Sequence, residues 1–115
     1  MSVGSPRSGR RPATSPIRTE FRDRELLSTA LNAARCEHSG VRKIVVVEKP
    51  TQMRIDLSTG LVSTNDDPTA QALVGRLRQL YAEAKYTRVL TEHGGRVESR
   101  GETEDGNIVL VCTLP

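Results

Sequence analysis

Two hydrophobic rhythms alternate along the chain, and their order predicts its architecture. Ile17, Thr19 and Phe21 alternate with Arg18, Glu20 and Arg22, the period of two that marks a half-buried strand. Asp23 then stands where a helix N-cap belongs, its carboxylate placed to accept from free N–H groups of the first turn. Leu26, Leu27, Ala30, Leu31 and Ala34 follow at helical spacing and give one apolar stripe. The spacing predicts a helix over residues 24–38, with Gly40 as its left-handed stop. The β-branched run Ile44-Val45-Val46-Val47 is apolar on both faces, as in a central strand, and Pro50 ends it. Met53, Ile55 and Leu57 alternate with Arg54 and Asp56 in a second strand. Ser58-Thr59-Gly60 is a turn, and Leu61-Val62 begins a short third strand.

Asn65-Asp66-Asp67-Pro68 is a helix start in which Asp67 caps and Pro68 takes the first helical position. Leu73, Leu77, Leu80 and Ala84 form the stripe of this second helix, bordered by Tyr81. Tyr86, Val89 and Leu90 lie off that stripe, so the later turns must bury a second face or bend. Gly94-Gly95 stops the helix near His93. Residues 97–114 read as a hairpin turning at Asp105-Gly106, the strongest short-range hairpin signal. A type I′ loop there pairs Glu104 with Asn107. It sets Val97 opposite Leu114, Ser99 opposite Cys112, Gly101 opposite Leu110 and Thr103 opposite Ile108. The other face then carries Glu98, Arg100, Glu102 and Glu104 beside Val109, Val111 and Thr113. The expected fold is α+β in the order β-α-β-β-α-β-β, or with Leu61-Val62 counted as one further strand before the second helix. It is an antiparallel-rich sheet with two helices on one face, ferredoxin-like in spirit.

At 115 residues the chain holds one domain, expected over residues 17–115. Residues 1–16 are Gly, Ser, Pro and Arg with almost no aliphatic side chain, a composition that predicts a disordered basic tail. That tail changes how the net charge of +3 reads, because Arg7, Arg10 and Arg11 account for all of it. The remainder is neutral, without the strongly basic footprint of a nucleic-acid binder. The aromatic set is one Phe and two Tyr with no Trp, so the core rests on Leu, Ile and Val. Such a core stabilises a small domain only modestly, and association would add to it.

Candidate chemistry is sparse. Cys36 and Cys112 lie far apart, outside any C-x-x-C spacing, and read as free thiols. Cys36, His38, His93 and Cys112 have no metal-ligand spacing, so no metal or other cofactor is expected. No G-x-S-x-G elbow, Walker loop or G-x-G-x-x-G frames a catalytic group. No secretory signal or membrane span is visible, and the cytoplasm is the expected compartment.

The second half resembles a known family. Tyr81-Ala82, Lys85, Gly94 thirteen residues after Tyr81, Val97, and the acidic strand leading to Asp105-Gly106-x-Ile108-x-Leu110 carry the resemblance. Thr19, Asp23, Leu26 and Ala30-Leu31 extend it to the first half, and Ile55-Asp56 with Gly60 do so weakly in the middle. The family is the conserved hypothetical open-reading-frame-35 family of cyanobacteria and chloroplasts, a domain of unknown function with bacterial relatives. Gly95 departs from it, standing where the family prefers an aromatic. The resemblance implies a small α+β protein without assigned catalysis or cofactor, and it carries over no functional residues.

The leading expectation is therefore a non-enzymatic accessory or adaptor protein that acts through a protein partner or as a homodimer. Val109 and Val111 would form its apolar docking patch, with a Glu98, Glu102 and Glu104 row steering a basic surface. The alternatives are a nucleic-acid binder and a small-ligand binder or enzyme with an unrecognised site. The first would use the arm Arg7, Arg10 and Arg11 with Arg76, Arg78, Lys85 and Arg88.

Overall fold

A computed structural model describes residues 16–64 and 68–115. The expected tail, including Arg7, Arg10 and Arg11, lies outside the described residues except for Pro16, as do Asn65, Asp66 and Asp67. The order is β1 (Ile17–Arg18), α1 (Arg24–Ala33), β2 (Glu37–Val41), β3 (Ile44–Lys49), β4 (Met53–Asp56), β5 (Leu61–Thr64), α2 (Pro68–Glu92), β6 (Arg96–Glu102) and β7 (Ile108–Thr113). The class is α+β, as expected. The arrangement is not one sheet: β1-β5-β4-β3-β2 form an antiparallel five-stranded sheet, and β6-β7 form a separate two-stranded ribbon. With β1 against β5, the large sheet is a meander closed by its first strand rather than a ferredoxin-like order.

One face of the meander is a set of apolar rows. Ile17 lies opposite Val62, Val62 opposite Ile55, and Ile55 opposite Val45. Val47 and Met53 make the next row. Leu26, Leu27, Ala30 and Leu31 of α1 and Val74, Leu77, Leu80 and Tyr81 of α2 cover this face in one buried cluster. Phe21 completes it, its ring 5.1 Å from that of Tyr81. The Tyr81 hydroxyl accepts from the backbone N–H groups of Arg22 and Asp23, so one phenol fixes the entry to α1.

The helix caps explain where the expected elements moved. Asp23 caps α1 as its sequence position predicts, accepting from Glu25 N at 2.9 Å and Leu26 N at 3.1 Å. The helix then stops at Ala33, well short of residue 38. Arg35 takes the left-handed position at φ 60°, Arg35 N donates to Asn32 O, and Cys36 N donates to Leu31 O. This is a Schellman stop built on arginine instead of glycine, so no residue type announces it. His38 and Gly40 consequently lie in a strand, and Arg24 donates from its guanidinium to Arg42 O across Gly40, where a side chain would collide. β1 is also shorter than its alternation predicts. Thr19 turns both its N–H and its hydroxyl to Gly60 O, which takes residues 19–22 out of the ladder. Gly60, at φ 80°, leaves no room for a Cβ beside Thr19 O.

Candidate interaction surface

The second Schellman stop launches the ribbon. Gly94, at φ 84°, and Gly95 end α2 as predicted, with Gly95 N donating to Leu90 O. Gly95 is buried against the Leu90 side chain, which explains how a residue off the main helical stripe is covered. β6 then runs to a turn in which Gly106 N donates to Thr103 O and Thr103 N to Asn107 O. With Gly106 at φ 87°, this is a three-residue loop of the glycine-bulge kind and not the two-residue type I′ loop expected. The loop shifts the register by one, pairing Glu102 with Ile108, Arg100 with Leu110 and Ser99 with Val111. A bulge at Glu98 shifts it once more, so that Val97 meets Cys112.

The first shift sends the side chains of Ser99 to Glu102 to the other face, and the bulge returns Val97 to the side it was expected on, with Cys112. The expected Glu98, Glu102 and Glu104 row does not exist. Glu104 sits in the turn. Glu98 lies in the bulge, accepting from Thr113 Oγ1 at 2.7 Å and Arg96 Nε at 2.8 Å, which together hold its carboxyl below the usual range. Arg100 and Glu102 face α2 in company with Leu110 and Ile108.

Val109 and Val111 keep their expected exposure and gain different neighbours. Val111 lies opposite Ser99 and Val109 opposite Gly101, beside which a Cβ would meet only open space. Nothing large crosses that face, so the two valines stand 49% and 55% exposed, with Leu114 beyond them at 68%.

The inner side of the ribbon is held by charge. Arg76 of α2 makes a two-pronged pair with Glu102, at 3.0 and 2.8 Å. Arg100 bonds Glu83 at 2.7 Å and also reaches Glu102 at 3.0 Å. Arg76 first and then Arg100 lower the Glu102 pKa, and Glu83 is the main cause that raises Arg100. The four residues form a clasp between helix and ribbon. Its sequence signal was available: Arg76 and Glu83 sit seven residues apart on one helix face, and Arg100 and Glu102 two apart on one strand face.

The clasp walls a groove of about 700 Å³ between α1, α2 and β6, floored by Leu26, Ala30, Leu80 and Ala84. Each charged side chain lining it is ion-paired, and Arg88 on its far wall binds Asp23 at 3.0 Å. Arg76 and Arg100 keep the Glu102 carboxyl in its ionised form, which makes it a poor proton donor and suits a structural clasp.

The chain matches no family model, no curated protein and no solved structure.

Among the described residues, no group of three or more His, Cys, Asp or Glu side chains converges on a metal site. None of their helices is long and apolar enough to cross a membrane. Of the basic residues considered for nucleic acid, Arg76 binds Glu102, Arg88 binds Asp23, and Lys85 lies 3.7 Å from Glu20. These pairs draw positive charge on α2 away from a phosphate backbone.

Proposed function

We infer that the chain is a non-enzymatic accessory or adaptor protein that works through protein–protein contacts, and that the outer side of the β6–β7 ribbon makes them. The observation that carries this reading is the uncovered pair Val109 and Val111 on a ribbon whose other side is already taken by α2. A two-stranded ribbon is marginal in water on its own, and cover on its second side stabilises it further. The resemblance to the open-reading-frame-35 family agrees with a role outside catalysis. Free thiols at Cys36 and Cys112 suit a reducing compartment, and we assign the cytoplasm.

The test is affinity capture from native lysate with the full tagged chain, comparing wild type with a Val109→Lys/Val111→Lys variant. Wild type is expected to retain a reproducible set of proteins that the variant loses at unchanged thermal midpoint. Identical sets from both would overturn the assignment to the ribbon.

A further inference from the structure

The described residues leave four strand edges without a partner, and three carry devices that blunt pairing. β1 has only two residues. β2 carries Glu37, a register irregularity beside His38, and Gly40. β6 carries Arg96, Glu98, Arg100 and Glu102 as well as the bulge. β7 has none of these. Its six residues, Ile108 to Thr113, contain no charge, no proline and no glycine, and its side of the ladder holds no bulge. Both hairpin residues of the clasp belong to β6, so α2 grips the ribbon away from the β7 edge.

The direction of the free backbone groups follows from the turn. Thr103 and Asn107 are hydrogen-bonded, and an antiparallel ladder alternates from there. Val109 and Val111 thus spend their backbone groups on β6, while Ile108, Leu110 and Cys112 present theirs to the open edge. We propose that this edge pairs with the β7 edge of a second copy, antiparallel across a two-fold axis at Leu110. That axis sets Ile108 against the partner's Cys112 and Leu110 against the partner's Leu110, which uses every outward group. It also sets Val109 against the partner's Val111 on the exposed face, a favourable β-branched pairing. The strand is uncharged, so a second copy meets no repulsion, and an isologous pair closes without leaving a further β7 edge. This proposal deepens the ribbon reading above by naming its occupant.

The experiment uses the full chain. Sedimentation from about 1 to 200 µM should show a monomer–dimer equilibrium in the range of weak, small interfaces. Amide exchange read residue by residue should show Ile108, Leu110 and Cys112 gaining protection as concentration rises, with Val109 and Val111 already slow. Two variants then test the register. Val109→Lys with Val111→Lys sets like charges opposite each other twice and should weaken the dimer roughly tenfold or more. Val109→Glu with Val111→Lys sets opposite charges together and should dimerise about as well as wild type. The second variant controls for folding, since both sites are equally exposed. A monomer at 200 µM overturns the proposal. So does protection at Ile108, Leu110 and Cys112 that is independent of concentration, or equal behaviour of the two variants. A monomer whose captured proteins still depend on Val109 and Val111 would overturn self-pairing alone and leave the adaptor reading standing.

Discussion

The β2–β5 meander and the β6–β7 ribbon are built from similar β-branched strands, yet they are held in different ways. In the meander Val45, Val47, Met53, Ile55 and Val62 are buried beneath two helices. In the ribbon Val97, Ile108, Leu110 and Cys112 face a helix and stay only half-buried, while four charged side chains join the two elements. Apolar content sets what a strand is able to bury, and the number of neighbouring layers sets what it does bury. The meander stabilises itself through packing. The ribbon depends on α2 on one side and has its apolar outer side to offer.

Removing core volume should separate the two regions most strongly. Leu77→Ala opens the fully buried contact of α2 with the rest of the core and should cost about 3 kcal/mol in urea unfolding. Leu110→Ala should cost less than half of that, and equal losses would mean that the ribbon is as well packed as the core.

Glycine substitutions come next in size. Gly60→Ala drives a Cβ into Thr19 O at a positive φ and should cost about 2 kcal/mol or more. Gly106→Val, at φ 87° with open space around it, suffers only the backbone penalty and should cost about 1–2 kcal/mol. Gly101→Ala meets neither obstacle and should be near neutral. A large loss there would show that the ribbon's outer face is covered.

The clasp should give a smaller and more local effect. A double-mutant cycle on Arg76 and Glu102 should show only weak coupling, smaller than the Leu77, Gly60 and Gly106 losses above, as for a solvent-screened pair. Its signature should be faster amide exchange in β6 and β7 with unchanged exchange in β3 and β4.

Acid should act in the same order. The Leu26 N–H, with help from Arg88, holds the Asp23 carboxyl below its ordinary range, and Arg76 and Arg100 do the same for Glu102. Folded pKa values lower than unfolded ones mean that the stabilisation is complete at neutral pH and is lost as pH falls through the folded values, below about pH 4. Ribbon amides should loosen in that window before core amides do, and simultaneous loss would sink the distinction between the regions. The smallest effect on stability is expected from Val111→Lys, within about 0.5 kcal/mol, because that side chain is more than half exposed in the monomer.

Much of this architecture was legible in the residue pattern. Asp23 as N-cap, Pro68 as the first helical residue, Gly94-Gly95 as the stop and the alternating Met53–Asp56 strand all rest on local chemistry, which a sequence carries directly. The two helices on one face of an antiparallel sheet followed from the order of those elements. Exposure of Val109 and Val111 was also legible, since two helices are too few to cover every apolar strand.

What the sequence could not settle depended on choices between near-equal local alternatives. An arginine in the left-handed position ended α1 because the Arg35 and Cys36 N–H groups satisfied the Asn32 and Leu31 carbonyls, and the chain that follows extends the meander as β2. Asp105-Gly106 permits a two-residue or a three-residue loop at similar local energy. The three-residue loop turns Arg100 and Glu102 toward Glu83 and Arg76, partners far away in sequence that only the packed helix brings within reach. Separation of the ribbon from the meander is decided in the same way. β1 occupies the edge beside β5, and the clasp and Gly95 hold the hairpin to α2 instead. Local propensity names the elements, and long-range pairing assigns their neighbours, because the energy that decides between partners appears only when both are in place.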